Sequence, residues 1–149
     1  MSESLHPTLP CMCGSLRRAS RALTQLYEQA LRPLGLRATQ FTVLQVLARA
    51  GEVSQGQLGR ILAMNSTTLT RTLKIMIRHG WISERRGEDR RERWLRLAGP
   101  GDLLLNRALP QWEKVQSRLH RQLASPAWDE LLLLATRATI SSNTQGGEP

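Results

Sequence analysis

Between Asn65 and Leu97 the chain reads NSTTLTRTLKIMIRHGWISERRGEDRRERWLRL. Two periodicities meet there at one glycine. Up to Arg78, apolar Leu69, Leu73, Met76 and Ile77 recur at three- and four-residue spacing, which predicts a helix with one buried face. Asn65 can cap its start, because a side-chain oxygen there takes a free backbone N–H. Gly80 can end it in left-handed backbone. The other face carries Ser66, Thr67, Thr70, Arg71, Lys74 and Arg78. Short side chains let a backbone approach closely, while Arg and Lys reach base edges and phosphates, as a helix in the DNA major groove requires. After Gly80 the period changes to two. Trp81 to Arg85 and Arg93 to Leu97 alternate like strands, with Trp94 opposite Leu95 and Leu97, around a charged turn holding Gly87. The expectation is a two-stranded hairpin. Its tip gathers Arg85, Arg86, Arg90, Arg91 and Arg93, which repel one another unless an anion lies nearby.

Working outward, Ser54-Gln55-Gly56-Gln57 is a capping box that starts a short helix through Leu58, Ile61 and Leu62. Upstream, Thr39 is expected to cap a helix in which Phe41, Leu44, Leu47 and Ala48 share a face and which Gly51 stops. From Cys11 to Leu31 the stripe Leu16, Ala19, Leu23, Leu26 and Ala30 marks a longer helix that Pro33 and Gly35 end. Downstream, Gly99-Pro100-Gly101 is expected to break the chain. A long helix then runs to about Leu123 on Leu105, Leu109, Trp112, Val115, Leu119 and Leu123, with Pro110 a kink point. Ser125-Pro126 opens a last helix, with Asp129 and Glu130 in its first turn and Leu131, Leu134 and Ile140 burying it. Residues 1–10 read as a disordered lead and the tail from Ser141 as frayed.

Composition narrows the function classes. The chain has 149 residues and a formal charge of +9. Between Arg60 and Arg96 ten basic residues face four acidic ones, so most of the surplus lies in a quarter of the chain. Concentrated positive charge on a small body points to a polyanion, most often nucleic acid. No apolar run approaches the ~20 residues of a membrane span. Met1 to Pro10 shows no secretory signal, and two cysteines do not make a disulfide scaffold, so a cytoplasmic protein is expected. His6, His79 and His120 are far apart in sequence. No phosphate loop, nucleophile elbow or metalloprotease motif is present. Neither catalytic residues, nor a cofactor, nor a metal is assigned.

Helix, helix, short helix, polar-faced helix, basic hairpin is the order of a winged helix-turn-helix. With one helix before it and two after, the chain resembles the MarR family of bacterial transcriptional regulators over about residues 11–140. The wing, Asp89-Arg90-Arg91-Glu92-Arg93-Trp94-Leu95-Arg96-Leu97-Ala98-Gly99-Pro100-Gly101, is similar to the family's D-x-R motif and following L-T-x-x-G. Ala98 stands where the family has Thr, which removes a helix cap and leaves Asp102 or Gly99 to compensate. Gly35-Leu36-Arg37-Ala38-Thr39-Gln40-Phe41 is similar to the family's G-L-x-x-x-Q-[FWY].

The resemblance implies a mainly α fold with a small β-hairpin wing. A DNA-binding lobe would span 36–98, helical dimerisation regions 11–32 and 100–141, and a flexible tail 142–149. It implies recognition-helix contacts by Ser66, Thr67, Thr68, Thr70, Arg71 and Lys74, and an Asp89 that orients Arg91 into the minor groove. Arg85, Arg86, Arg90 and Arg93 join them from the charge pattern of the tip. It also implies a homodimer, with which the apolar stripes on the terminal helices agree independently. Two-fold symmetry matches a pseudo-palindromic operator with half-sites ~34 Å apart. The expected role is a repressor released by a signal. A sequence-neutral architectural DNA-binding protein is the alternative that uses the same charge.

The signal stays open. Cys11 and Cys13 can be inert small hydrophobes. In the family's hydroperoxide-sensing branch a reactive Cys precedes a Ser-Arg pair by seven residues and a Tyr by fourteen. Cys13, Ser20-Arg21 and Tyr27 fall at those spacings, while Arg17 replaces that branch's second Tyr. Arg17, Arg18 and the helix start favour a thiolate. Alternatively Cys11 and Cys13, with His6, form a soft-metal site. A small aromatic or phenolic anion in a crevice lined by Arg17, Arg21, Tyr27 and Trp112 is the remaining option.

Overall fold

The computed structural model describes residues 8–144. Met1 to Pro7 therefore lie outside it, including His6 and most of the expected lead, as do the last five residues. Thr8 to Pro10 form no regular element. The elements run α1 (Met12–Leu31), a 3-10 turn (Arg32–Leu34), α2 (Ala38–Ala50), β1 (Glu52–Ser54), α3 (Gln55–Leu62), α4 (Ser66–Arg78), β2 (Ile82–Arg86), β3 (Arg93–Leu97), α5 (Gly99–Leu123) and α6 (Ser125–Thr144). The fold is mainly helical with a small antiparallel sheet. That sheet has three strands in the order β1-β3-β2, not the two expected. Glu52-Val53-Ser54 pairs with Trp94 to Arg96, and Ile82 to Arg86 pairs with Arg93 to Leu97.

The core is built from the winged segment and the elements that flank it. Leu44, Leu58, Leu69, Met76 and Leu95 are fully enclosed, joined by Leu31 from α1 and by Leu104, Leu105 and Ala108 from the first turns of α5. Each such leucine or methionine contributes roughly 1.5–3 kcal/mol through removal from water. Phe41 packs on Trp112 with ring centroids 5.9 Å apart, which holds α2 against α5.

Local chemistry sets the helix ends. Ser54 Oγ accepts from Gln57 N at 3.2 Å while Gln57 Oε1 accepts from Ser54 N at 3.0 Å, the expected capping box. Asn65 Oδ1 accepts from Thr68 N at 2.8 Å, capping α4, and Gly80 ends it with φ of +72°. The start of α2 differs from expectation. Arg37, not Thr39, is the cap residue, and side chains three and ten residues away satisfy the free N–H groups: Gln40 Oε1 accepts from Arg37 N at 2.9 Å and Glu28 Oε1 from Ala38 N at 2.8 Å. Gly99-Pro100-Gly101 does not break the chain but forms the first turn of α5. Proline is tolerated there because the first helical N–H groups lack partners anyway. Ala98 caps without a side-chain bond, and Asp102 supplies the acidic residue of the first turn. Gly101 is required sterically, since an added Cβ would collide with the Trp81 carbonyl oxygen. Helix α5 continues through Pro110.

The terminal helices depart most from expectation. Leu131, Leu134 and Ile140 do not bury α6 within this chain; they are 43%, 51% and 60% exposed, beside exposed Leu132 and Leu133. Leu16 and Leu23 of α1 are exposed as well. Four consecutive leucines point around the whole helix, so one chain has too few partners to cover them. Ile61 and Ala48, expected inside, are also exposed. Asp129 and Glu130 fall beyond the first turn of α6, which begins at Ser125, and that helix runs to Thr144 instead of fraying at Ser141.

Candidate nucleic-acid interface

Helix α4 seats Leu69, Leu73 and Met76 in the core, which turns Ser66, Thr67, Thr68, Thr70, Arg71 and Lys74 outward, all exposed. Among the described residues Arg71, Lys74 and Arg78 form no ion pair. The start of α4 and the tip of the wing face each other across a concavity of about 1000 Å³, lined by Gln55, Arg60, Asn65, Ser66, Arg91 and Arg93. The geometry thus brings part of the helix face and part of the hairpin tip to one side. Gln55 and Arg60 are additions to the sequence-predicted set. Arg60 was visible as charge, but its facing the wing depends on how α3 packs.

The wing arginines divide into two groups. Arg85 Nε and Nη2 donate to Glu52 Oε1 and Oε2, both at 2.7 Å, and its guanidinium lies 5.3 Å from the centre of the Trp94 ring. The Arg85 bond holds the Glu52 carboxyl below the usual carboxylate range, with Arg96 adding to the same effect. Arg93 Nη1 donates to Glu84 Oε2 at 3.3 Å. Arginines gathered at one tip repel one another unless an anion lies nearby, and for Arg85 and Arg93 strand register supplies acids from within the chain. Arg86, Arg90 and Arg91 are exposed and, among the described residues, form no ion pair. Asp89 Oδ1 accepts from the backbone N–H of Arg91 at 3.0 Å, so Asp89 shapes the turn that presents Arg91. Gly87 N donates to Glu92 O at 2.9 Å and closes the tip.

The residues singled out for sensing are dispersed. Cys11 caps α1, its Sγ accepting from Gly14 N at 3.5 Å, and both Cys11 and Cys13 are exposed. Tyr27 lies fourteen residues beyond Cys13 on the same helix, ~21 Å along its axis at 1.5 Å per residue. The two do not meet within one chain. Tyr27 instead donates its hydroxyl to Gln116 Oε1 at 3.0 Å, and burial pushes its ionisation up. A groove of about 780 Å³ lies between α1, α2, α5 and α6, lined by Leu16, Leu23, Tyr27, Phe41, Trp112 and Leu131 among others. Arg17 and Arg21, expected to line such a crevice with Tyr27 and Trp112, do not reach it. No helix is long and apolar enough to cross a membrane, among the described residues.

A family model described as MarR family matches residues 34–92. The curated Bacillus subtilis (strain 168) protein YwoH, called an uncharacterized HTH-type transcriptional regulator, is 32% identical over 78 residues; the match spans 52% of this chain and 57% of that one. The Mycobacterium tuberculosis transcriptional regulator MosR, solved in complex with DNA, is 31% identical, with a TM-score of 0.80 over 90% of this chain and 97% of that one. A mutant of MarR from Escherichia coli complexed with operator DNA has the same fold, with a TM-score of 0.76 at 20% identity over 85% of this chain and 92% of that one.

Proposed function

Because the chain belongs to the MarR family of winged helix-turn-helix, DNA-binding transcriptional regulators, we propose that it is a sequence-specific repressor that binds a pseudo-palindromic operator as a homodimer. The carrying observation is the shared concavity between the start of α4 and the wing. In this reading Ser66, Thr67, Thr68, Thr70, Arg71 and Lys74 address the major groove. Arg91, presented by Asp89, enters the adjacent minor groove, and Arg86 and Arg90 neutralise phosphates. Arg85 and Arg93 act on DNA through the shape of the wing, since their charges already have acidic partners. The exposed leucines of α6 and α1 support pairing with a second copy through residues 11–32 and 100–141, leaving 36–98 as the reading lobe. The relatives solved on DNA, MosR and MarR, support the DNA-binding part of this reading. A cytoplasmic location follows from that role.

The release signal has two readings, each with its own observation. Exposed Cys11 and Cys13 at the start of α1 favour thiol oxidation. The groove holding Tyr27 and Trp112 favours a small aromatic ligand. Either acts by changing the separation of the two lobes, with a coupling of ~1–3 kcal/mol expected. Genome-wide selection of bound fragments, with and without oxidant, tests both halves of the proposal. One palindromic motif should enrich, and oxidant should deplete it if thiols carry the signal. Enrichment of random fragments would replace this reading by a sequence-neutral architectural role.

A further inference from the structure

We infer that Gln55 positions the Thr70 hydroxyl and keeps its proton outward, so that the two residues act together as one specificity element. The inference rests on the DNA-binding reading above and names one specificity element within it. The observation is a bond between helices: Gln55 Nε2, at the first residue of α3, donates to Thr70 Oγ1 on the exposed face of α4 at 2.9 Å.

A threonine hydroxyl has one proton to donate and two lone pairs to accept with. In a helix that proton commonly returns to the carbonyl four residues back. Thr42, Thr72, Thr136 and Thr139 all do this here, at 2.8–3.1 Å. Thr70 does not; its side chain instead accepts from Gln55. With one lone pair held by the amide and no carbonyl taking the proton, the O–H and the second lone pair are left for the exposed side. Thr70 stands between Ser66 and Lys74 at four-residue spacing, in the middle of the outward face. Gln55 is free for this task because Ser54 and Gln57 cap α3 between themselves.

Base edges differ in what they offer such a hydroxyl. In the major groove guanine offers N7 and O6, adenine N7 and thymine O4 as acceptors, whereas cytosine offers only an amino donor. The Gln55–Thr70 pair therefore sets the base preference at one position of each half-site through the placement of that hydroxyl. A mismatch there costs affinity roughly 5- to 150-fold, the usual range for one base pair.

The test uses the full chain. A motif is first selected from random duplex DNA, and all four bases are then compared at each half-site position by competition. The set is wild type, Gln55→Leu, Thr70→Val, the double variant and Gln55→Glu, with melting temperatures confirming that each folds. We expect one position at which the base preference of wild type depends on Thr70. Gln55→Leu and Thr70→Val flatten that position alone, and the double variant flattens it no further. Gln55→Glu, whose carboxylate only accepts, turns the Thr70 proton inward and shifts the same position toward cytosine or adenine. If Thr70→Val flattens a position that every Gln55 variant leaves unchanged, Thr70 reads alone and the inference is wrong. If no position responds to either residue while a motif is still selected, it is also wrong and the DNA reading stands. If no motif is selected, the DNA reading fails and this inference with it.

Discussion

Arg85 and Glu52 lie on the two outer strands of the wing sheet and join across the central strand β3 through two bonds of 2.7 Å. The guanidinium crosses the face of Trp94 on the way. A bidentate contact fixes direction as well as distance, because the planar donor fork matches the carboxylate. It therefore ties the free strand of the hairpin to the segment between α2 and α3, and so relates the angle of the tip to the recognition unit.

Glu52→Gln should loosen the wing, with faster amide exchange in β2 and weaker DNA binding. Its pH dependence has a definite sign. The Glu52 carboxyl is depressed in the fold, chiefly by the Arg85 bond, so its contribution to stability is present above the ordinary value of 4.5 and is lost as pH falls below it. The melting-temperature gap between wild type and Glu52→Gln should accordingly close in acid. A gap independent of pH would show that the ion pair does not contribute.

Gly101→Ala should destabilise the protein by about 1–3 kcal/mol, as overpacked sites do, or a few degrees of melting temperature. The added methyl meets the Trp81 carbonyl oxygen, which also accepts from Ala98 N at 3.0 Å. Thermal melts check this. Gly99, with open space around it, is the control position and should tolerate alanine far better.

Arg91→Ala should weaken binding to all sequences and flatten the log–log salt dependence by ~0.9 for each phosphate that is no longer neutralised. Asp89→Ala should produce a milder version of the same defect, since Asp89 holds the backbone N–H of Arg91. Titrations at several salt concentrations separate these effects from changes in base preference.

In the proposed homodimer, Leu132→Glu or Leu134→Arg should leave a single 16.8 kDa chain in light scattering where the wild type gives a pair, without unfolding the winged lobe. Both residues are about half exposed in the isolated chain, so the substitution opens no core cavity. DNA affinity should fall sharply, because a lone lobe reaches one half-site. A variant that stays dimeric would move the interface elsewhere.

Cys13→Ser should abolish, and Cys11→Ser should alter, the release of DNA by a hydroperoxide. Titrating DNA binding against oxidant measures it directly. Unchanged sensitivity in both variants would leave the Tyr27–Trp112 groove as the place where the signal enters.

What the sequence disclosed follows the range of the interactions involved. The caps at Ser54 and Asn65 and the buried stripe of α4 depend on residues three or four apart, and they were legible. Strand β1 was not, because Glu52-Val53-Ser54 has one apolar residue and its partners lie some forty positions away. The neutralised state of Arg85 and Arg93 depends on strand register, and the Gln55–Thr70 bond on how two helices cross. The leucines of α6 announced burial, yet within one chain they stay exposed, because pattern alone does not supply a partner surface. Cys13 and Tyr27 matched a spacing, yet the rise of one straight helix separates them.

The central claim is that α4 and the wing together read a DNA sequence. The most direct measurement is competition of the selected operator against random duplex of equal length at near-physiological salt. The operator should be preferred ~10³-fold or more, and Arg71→Ala and Lys74→Ala in α4 and Arg91→Ala in the wing should each lower operator affinity. Equal affinity for operator and random DNA, or operator binding unaffected by changes on both elements, would contradict it.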